Sequence, residues 1–328
     1  MRKQWVVVAA IAVLALSACA PTDEPATAPT TEPTVEPTAE AVVGPERVFD
    51  GDCDGLVSAA DVSADVGAPL TLLDELWVED LSYSTFPQVG GIHCVWDSAD
   101  DSGPSVSAVV LPSRSIGEAR PTGTECEPGA NCTFGVIESG FQLFGIVIET
   151  GADPAALQPV ADSLTARMAA SLADAPLPAP YEPAGSWAAA VECASLDEGH
   201  AIATVLGDPA LEGYAYGGDA EPNRGYYVAL AAAGLTHCDW VSFPGDGATV
   251  AVDLMPGGAW RQADIEALAG AETVDIPGFE AAVVVGDTLY AFTAVNRLDL
   301  TLDPKGTALT LPDFFAAATS IAAELDAG

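Results

Sequence analysis

The residues whose types and spacing carry the most chemistry run from Asp50 to Asp61. Asp50-Gly51-Asp52-Cys53-Asp54-Gly55 opens a stretch that closes on Asp61 at its twelfth place, which is the pattern of a calcium-binding loop. Carboxylates at 50, 52 and 54 would converge on a cation, Gly55 would permit the sharp turn, and Asp61 would close the shell. Two features oppose this. The fourth place is a cysteine, and the matching stretch of the second half, Ala189 to Ala194, has no comparable set of acids. Acids at a helix N-terminus would explain Asp52, Asp54 and Asp61 as well. No metal ligand is assigned, calcium at these four aspartates stays an open question, and no cofactor is expected.

The histidines are three: His93, His200 and His237. His93 and His237 each precede a cysteine in a repeated tetrapeptide, so a packing or surface role is expected of them before acid–base work. No Gly-x-Ser-x-Gly elbow, Walker loop or HExxH is present. With 48 acidic residues, carboxylate pairs arise by chance, which keeps a hydrolase as a minor alternative. Trp96 and Trp240 could stack sugars, but a tryptophan beside a cystine is expected to pack on it in the core. Tyr214, Tyr216, Tyr226 and Tyr227 with Arg224 flank Gly217-Gly218 and have binding hot-spot composition. The other reading of that stretch is a glycine-rich loop packing its own tyrosines.

The chain is organised around His93-Cys94-Val95-Trp96 and His237-Cys238-Asp239-Trp240. Cys53 precedes Gly67 by 14 residues and Pro69 by 16, and Cys193 precedes Gly207 and Pro209 by the same intervals. Pro112 and Pro256 each follow their tryptophan by 16. These coincidences mark an internal duplication. Setting Cys19 aside leaves six cysteines, suited to three disulfides in an oxidising compartment. The repeat pairs Cys53 with Cys94 and Cys193 with Cys238, and elimination leaves Cys126 with Cys132. Each long bridge would contribute about 4 kcal/mol on the chain-entropy account. Zinc is not expected, since clustered CxxC or HxxxH spacing is absent.

Residues 1–18 read as an export signal: Arg2 and Lys3, then an apolar run from Trp5 to Leu16, too short to span a bilayer. The run ends in Leu16-Ser17-Ala18-Cys19, which resembles the lipobox of bacterial lipoproteins at all four positions. That resemblance implies diacylglycerol on Cys19, cleavage before it, and a lasting anchor on the extracytoplasmic face of the cell membrane. Residues 19–46 then form the lipidated cysteine and a disordered Pro/Thr/Glu tether. At about 3.1 Å per residue the tether would reach roughly 80 Å.

The elements expected to position the candidate residues repeat in order. Domain one, residues 47–175, has a helix from Asp54 to Val66 and strands Ile92–Trp96 and Val106–Leu111. A helical turn at Ser115–Arg120, a hairpin turning at Ser139-Gly140, and a helix from Asp153 follow. Residues 176–186 are a proline-rich linker. Domain two, residues 187–328, has a helix capped by Ser195 through Glu198 and ending at Gly207. Strands Tyr226–Ala231, Leu235–Val241 and Val250–Met255, a helix Arg261–Ala269, a hairpin turning at Gly286-Asp287 and a helix Asp313–Leu325 complete it. Residues 298–310 read as an insertion, and the Cys126–Cys132 loop has no counterpart in domain two. Each domain is expected to be α+β, an antiparallel sheet with helices packed on one face.

Net charge is −38, and without the leader 48 acidic residues face 8 basic ones, for −40. Such a surface repels phosphate backbones, so nucleic acid is not an expected partner. The lipobox, the Thr/Pro stalk and the duplicated Cys…Cys-x-Trp domain together resemble lipoproteins of actinobacterial cell envelopes. More loosely, they resemble the extracellular sensor domains of receptor kinases from the same bacteria. The resemblance implies location and fold, and no activity. The expectation is a non-catalytic binding or interaction module for an envelope protein or a small ligand, with a structural or sensory spacer as the alternative.

Overall fold

The computed structural model of the chain describes residues 42–73, 81–100, 103–116, 122–127, 131–149, 151–187, 191–215, 229, 231–242 and 247–327. Cys19, the leader, Tyr216, Arg224, Tyr226 and Tyr227 lie outside them. The chain is α+β, with two antiparallel sheets and one compact unit over residues 41–328.

The first sheet has the order β1-β2-β3-β6-β5-β4. Its strands are β1 (Thr71–Leu72), β2 (Ile92–Asp97), β3 (Ser105–Pro112), β4 (Gly123–Glu127), β5 (Asn131–Glu138) and β6 (Phe141–Ile148). Alternation decides the inward face: Ile92, Cys94 and Trp96 are buried, with His93 and Val95 between them half-buried. Helices α1 (Cys53–Leu56), α2 (Ala59–Val66) and α4 (Pro154–Ala173) serve the core on that face. Along α4, Leu157, Ala161, Leu164, Met168 and Leu172 recur at helical spacing as one buried stripe. Asp153 caps it, accepting the Ala155 N–H at 3.0 Å, and Pro154 fills a place needing no donor.

The single helix expected from Asp54 to Val66 is two. Val57 is extended, and Ser58 restarts the helix by accepting the Asp61 N–H, while its hydroxyl donates to the Asp61 carboxylate at 2.7 Å. A second cap inside the run interrupts it. Helix α3 (Leu81–Gln88) has no counterpart in the sequence reading.

The second sheet has the order β10-β11-β12-β13-β9-β8-β7. Its strands are β7 (Tyr214–Ala215), β8 (Thr236–Val241), β9 (Thr249–Met255), β10 (Glu272–Val274), β11 (Ala281–Val285), β12 (Thr288–Phe292) and β13 (Arg297–Asp303). The stretch read as an insertion therefore supplies β13, a central strand between β9 and β12. Leu298, Leu300 and Leu302 alternate inward with Arg297, Asp299 and Thr301, and the charges hid a regular strand. By sheet order β13 matches β6, β12 matches β5 and β11 matches β4. The turn between β11 and β12 is thus the counterpart of the Cys126–Cys132 turn, and β10 is the added strand.

Two further expectations change. Residues 229, 231 and 232 are helical, not strand, as an alanine-rich run favours. Ser195 does not cap the next helix. Asp197 does, its carboxylate accepting the N–H groups of Ala201, Ile202 and Ala203 at 2.6–3.3 Å, and that helix, α5, is only Ala201–Val205.

Candidate functional site

The two repeats meet through buried polar groups. Gln88, at the end of α3, donates to the Pro256 carbonyl at 2.8 Å and accepts from the Trp260 indole at 2.7 Å. The Tyr181 hydroxyl donates to the Gly257 carbonyl at 3.1 Å, so the linker closes on the second repeat. Residues before the first repeat join in: Val42 packs on the outer cluster of the second sheet, and Gly44 lies against the Trp260 ring. Glu46 accepts the Ala179 N–H at 2.9 Å.

A cleft of about 460 Å³ opens beside this junction. Gln88 and Arg114 come from the first repeat, Tyr181 and Pro183 from the connecting segment, and Trp187 and Pro256 from the second. The Arg114 guanidinium donates to the Pro178 carbonyl, which fixes it at the cleft wall. Rigid aromatic and proline surface with an arginine suits binding more than turnover, and the volume lies in the range of small-ligand sites.

The titratable groups gather elsewhere, on the outer face of the second sheet. One ladder row runs His237–Asp253–Asp299–Tyr290 across β8, β9, β13 and β12. His237 Nδ1 lies 2.6 Å from Asp253, and Nε2 lies 3.2 Å from Asp239. Arg297, at 1% exposure, faces Asp299, also at 1%, with Nε 2.9 Å from Oδ1. Hydrogen bonds to Asp239 and then Asp253 raise the His237 pKa to about 10, so the ring is an imidazolium with both N–H groups committed. It has no basic nitrogen to offer a substrate. Burial raises Asp299 to about 7 against the pull of Arg297, and burial also raises Asp253. Burial lowers the Arg261 pKa.

The first repeat lacks this row. At the matching ladder places Val95, Val109, Phe144 and Gln142 stand for Asp239, Asp253, Asp299 and Arg297. Val109 and Phe144 instead join Phe86 and Leu111 in an outer cluster that takes Ala229 of the second repeat. His93 bonds Ser107 at 2.7 Å and packs edge-on against Phe86. Sequence reasoning treated His93 and His237 alike. The differing partners, on β9 and β13, were invisible until the strand register placed them.

The other candidates fall as follows. Cys53 bonds Cys94, Cys126 bonds Cys132 and Cys193 bonds Cys238. Asp52 caps α1 through the Asp54 N–H, and Asp61 turns to Ser58 and to Arg167, at 3.1 Å. The four aspartates therefore do not converge, and among the described residues no three His, Cys, Asp or Glu side chains are placed to hold a metal ion. Trp96 and Trp240 are fully buried core residues and present no stacking face. Of the aromatic set, Tyr214 is described and is exposed, in β7. His200 precedes α5 with a left-handed backbone. No described helix is long and apolar enough to cross a membrane.

No family model matches the chain, and no curated protein matches it. A solved structure titled "Structure of crystal form I of TP0453" aligns over 86% of this chain and 96% of that one at 9% identity. Its TM-score is 0.13, which supports no argument about fold or function.

Proposed function

We propose that the chain is a lipoprotein held through Cys19 on the extracytoplasmic face of the cell membrane. It acts there as a non-catalytic binding module of the envelope, taking a protein segment or small ligand in the cleft between its repeats. The cleft carries this reading. It is walled by Tyr181, Pro183 and Trp187, has Arg114 on one side, and is backed by a junction that Gln88 closes with two part-buried hydrogen bonds. The charge row supports it from the other direction, since its histidine has both nitrogens occupied and its buried carboxylates face partners within the fold. A photo-crosslinker at Ser115, on the cleft wall, should capture a discrete envelope component that the same group at exposed Asp174 does not. Equal capture from both positions overturns the cleft assignment. The anchor is tested separately: Cys19→Ala should move the protein from the membrane to the soluble fraction.

A further inference from the structure

We propose that Cys126–Cys132 is a thiol–disulfide exchange site, and that Cys53–Cys94 and Cys193–Cys238 are structural bridges. Cys126 and Cys132 stand directly opposite each other on β4 and β5, with Cα atoms 4.0 Å apart. Cystines usually hold their Cα atoms at about 4.4–6.8 Å. The two long bridges, at 5.7 and 5.5 Å, lie inside that range. Their four cysteines are buried in the two main cores, as is Cys132 of the short bridge. Cys126 is half-buried on β4, the outermost strand of its sheet, between exposed Glu125 and Glu127.

The short bridge also holds little together. It spans 6 residues, against 41 and 45 for the others, so it restrains the unfolded chain least. The β4–β5 ladder already pairs five residues on each side, and Thr124 ties β4 to Asp162 of α4 at 2.6 Å. The matching hairpin of the second repeat, β11 with β12, pairs fully from Ala281 to Val285 with no bridge. A cystine that the fold does without in its other copy, with one half-buried sulfur on the outermost strand of a sheet, is suited to exchange.

The step needs a dithiol partner. A thiolate of that partner attacks the Cys126 sulfur and the Cys126–Cys132 bond breaks. Cys132 leaves as a thiolate and takes a proton. The partner's second thiol then attacks the mixed disulfide and releases Cys126, which takes the second proton. The partner dithiol is oxidised to a disulfide by two electrons, and Cys126 and Cys132 end as thiols. Glu125 and Glu127 favour a partner with a basic rim around its dithiol. Reduction leaves β4 held by its ladder and by the Thr124–Asp162 hydrogen bond.

The test is graded reduction of the full chain by dithiothreitol under native conditions, with rapid alkylation and peptide mapping. Cys126 and Cys132 should be alkylated at least tenfold faster than the four cysteines of the long bridges, with little change in far-UV circular dichroism. Alkylation of all six together, or of Cys126 and Cys132 last, overturns the proposal. The paired variant Cys126→Ser with Cys132→Ser should fold with both long bridges intact; its failure to fold would show a structural bridge and overturn the proposal too. Cationic cysteamine should reduce the bond several-fold faster than anionic mercaptoethanesulfonate, and equal rates would remove the basic-rimmed partner.

Discussion

His237 and Asp253 face each other across β8 and β9, with Nδ1 of one 2.6 Å from Oδ1 of the other. Asp253 in turn faces Asp299 across β9 and β13. Two carboxylates placed directly opposite would repel. Here His237 offsets one end of the row and Arg297 the other, which limits that repulsion within a buried strip of a strongly acidic protein.

This row should make the protein more stable in mild acid. The folded pKa of His237 is about 10, above its free value of 6.5. Its stabilisation is complete below pH 6.5 and is lost as pH rises through 10. The folded pKa of Asp299 is about 7, above its free value of 3.8, so the fold is favoured below pH 3.8 and loses that gain as pH rises through 7. Both act in one direction, and Tm should fall from pH 6 to pH 10. His237→Asn should flatten that slope, as differential scanning fluorimetry across pH would show. An unchanged slope would remove His237 as its cause.

Arg297 and Asp299 should behave as a unit. Arg297→Met leaves a buried carboxylate with its main cation gone and should cost about 3–5 kcal/mol. Adding Asp299→Leu should recover most of it. Guanidinium unfolding of the two variants measures the difference, and additive losses would contradict the pairing.

Gln88 should couple the repeats. Gln88→Ala leaves the Pro256 carbonyl and the Trp260 indole without that partner and should cost about 1–3 kcal/mol. Urea unfolding should broaden or split into two transitions as the repeats part. A single transition with unchanged midpoint would show that the junction rests on other contacts.

Gly213 lies against the Trp240 indole, where an added Cβ would come within 2.4 Å of the ring. Gly213→Ala should cost about 1–3 kcal/mol through overpacking and shift the tryptophan emission. Wild-type stability and emission would mean the chain yields there.

Much of this architecture is legible in the sequence. The Cys-x-Trp tetrapeptides gave β2 and β8, the prolines at 112 and 256 marked the ends of β3 and β9, and the leucine stripe of α4 was plain. What stayed hidden depended on long-range register. Arg297 and Asp299 look like loop residues until β9 and β12 flank them, so the stretch that forms β13 has the look of an insertion. The cleft was out of reach for the same reason, because Gln88 and Trp260 carry no local signal that they meet.

The binding reading is tested most directly by native mass spectrometry of the protein purified gently from its own cells, beside an Ala233→Trp variant that fills the cleft. The account predicts a reproducible added mass on the wild-type protein that is lost on denaturation and absent from the variant. A bare protein in both samples, or an added mass that the variant keeps, would contradict it.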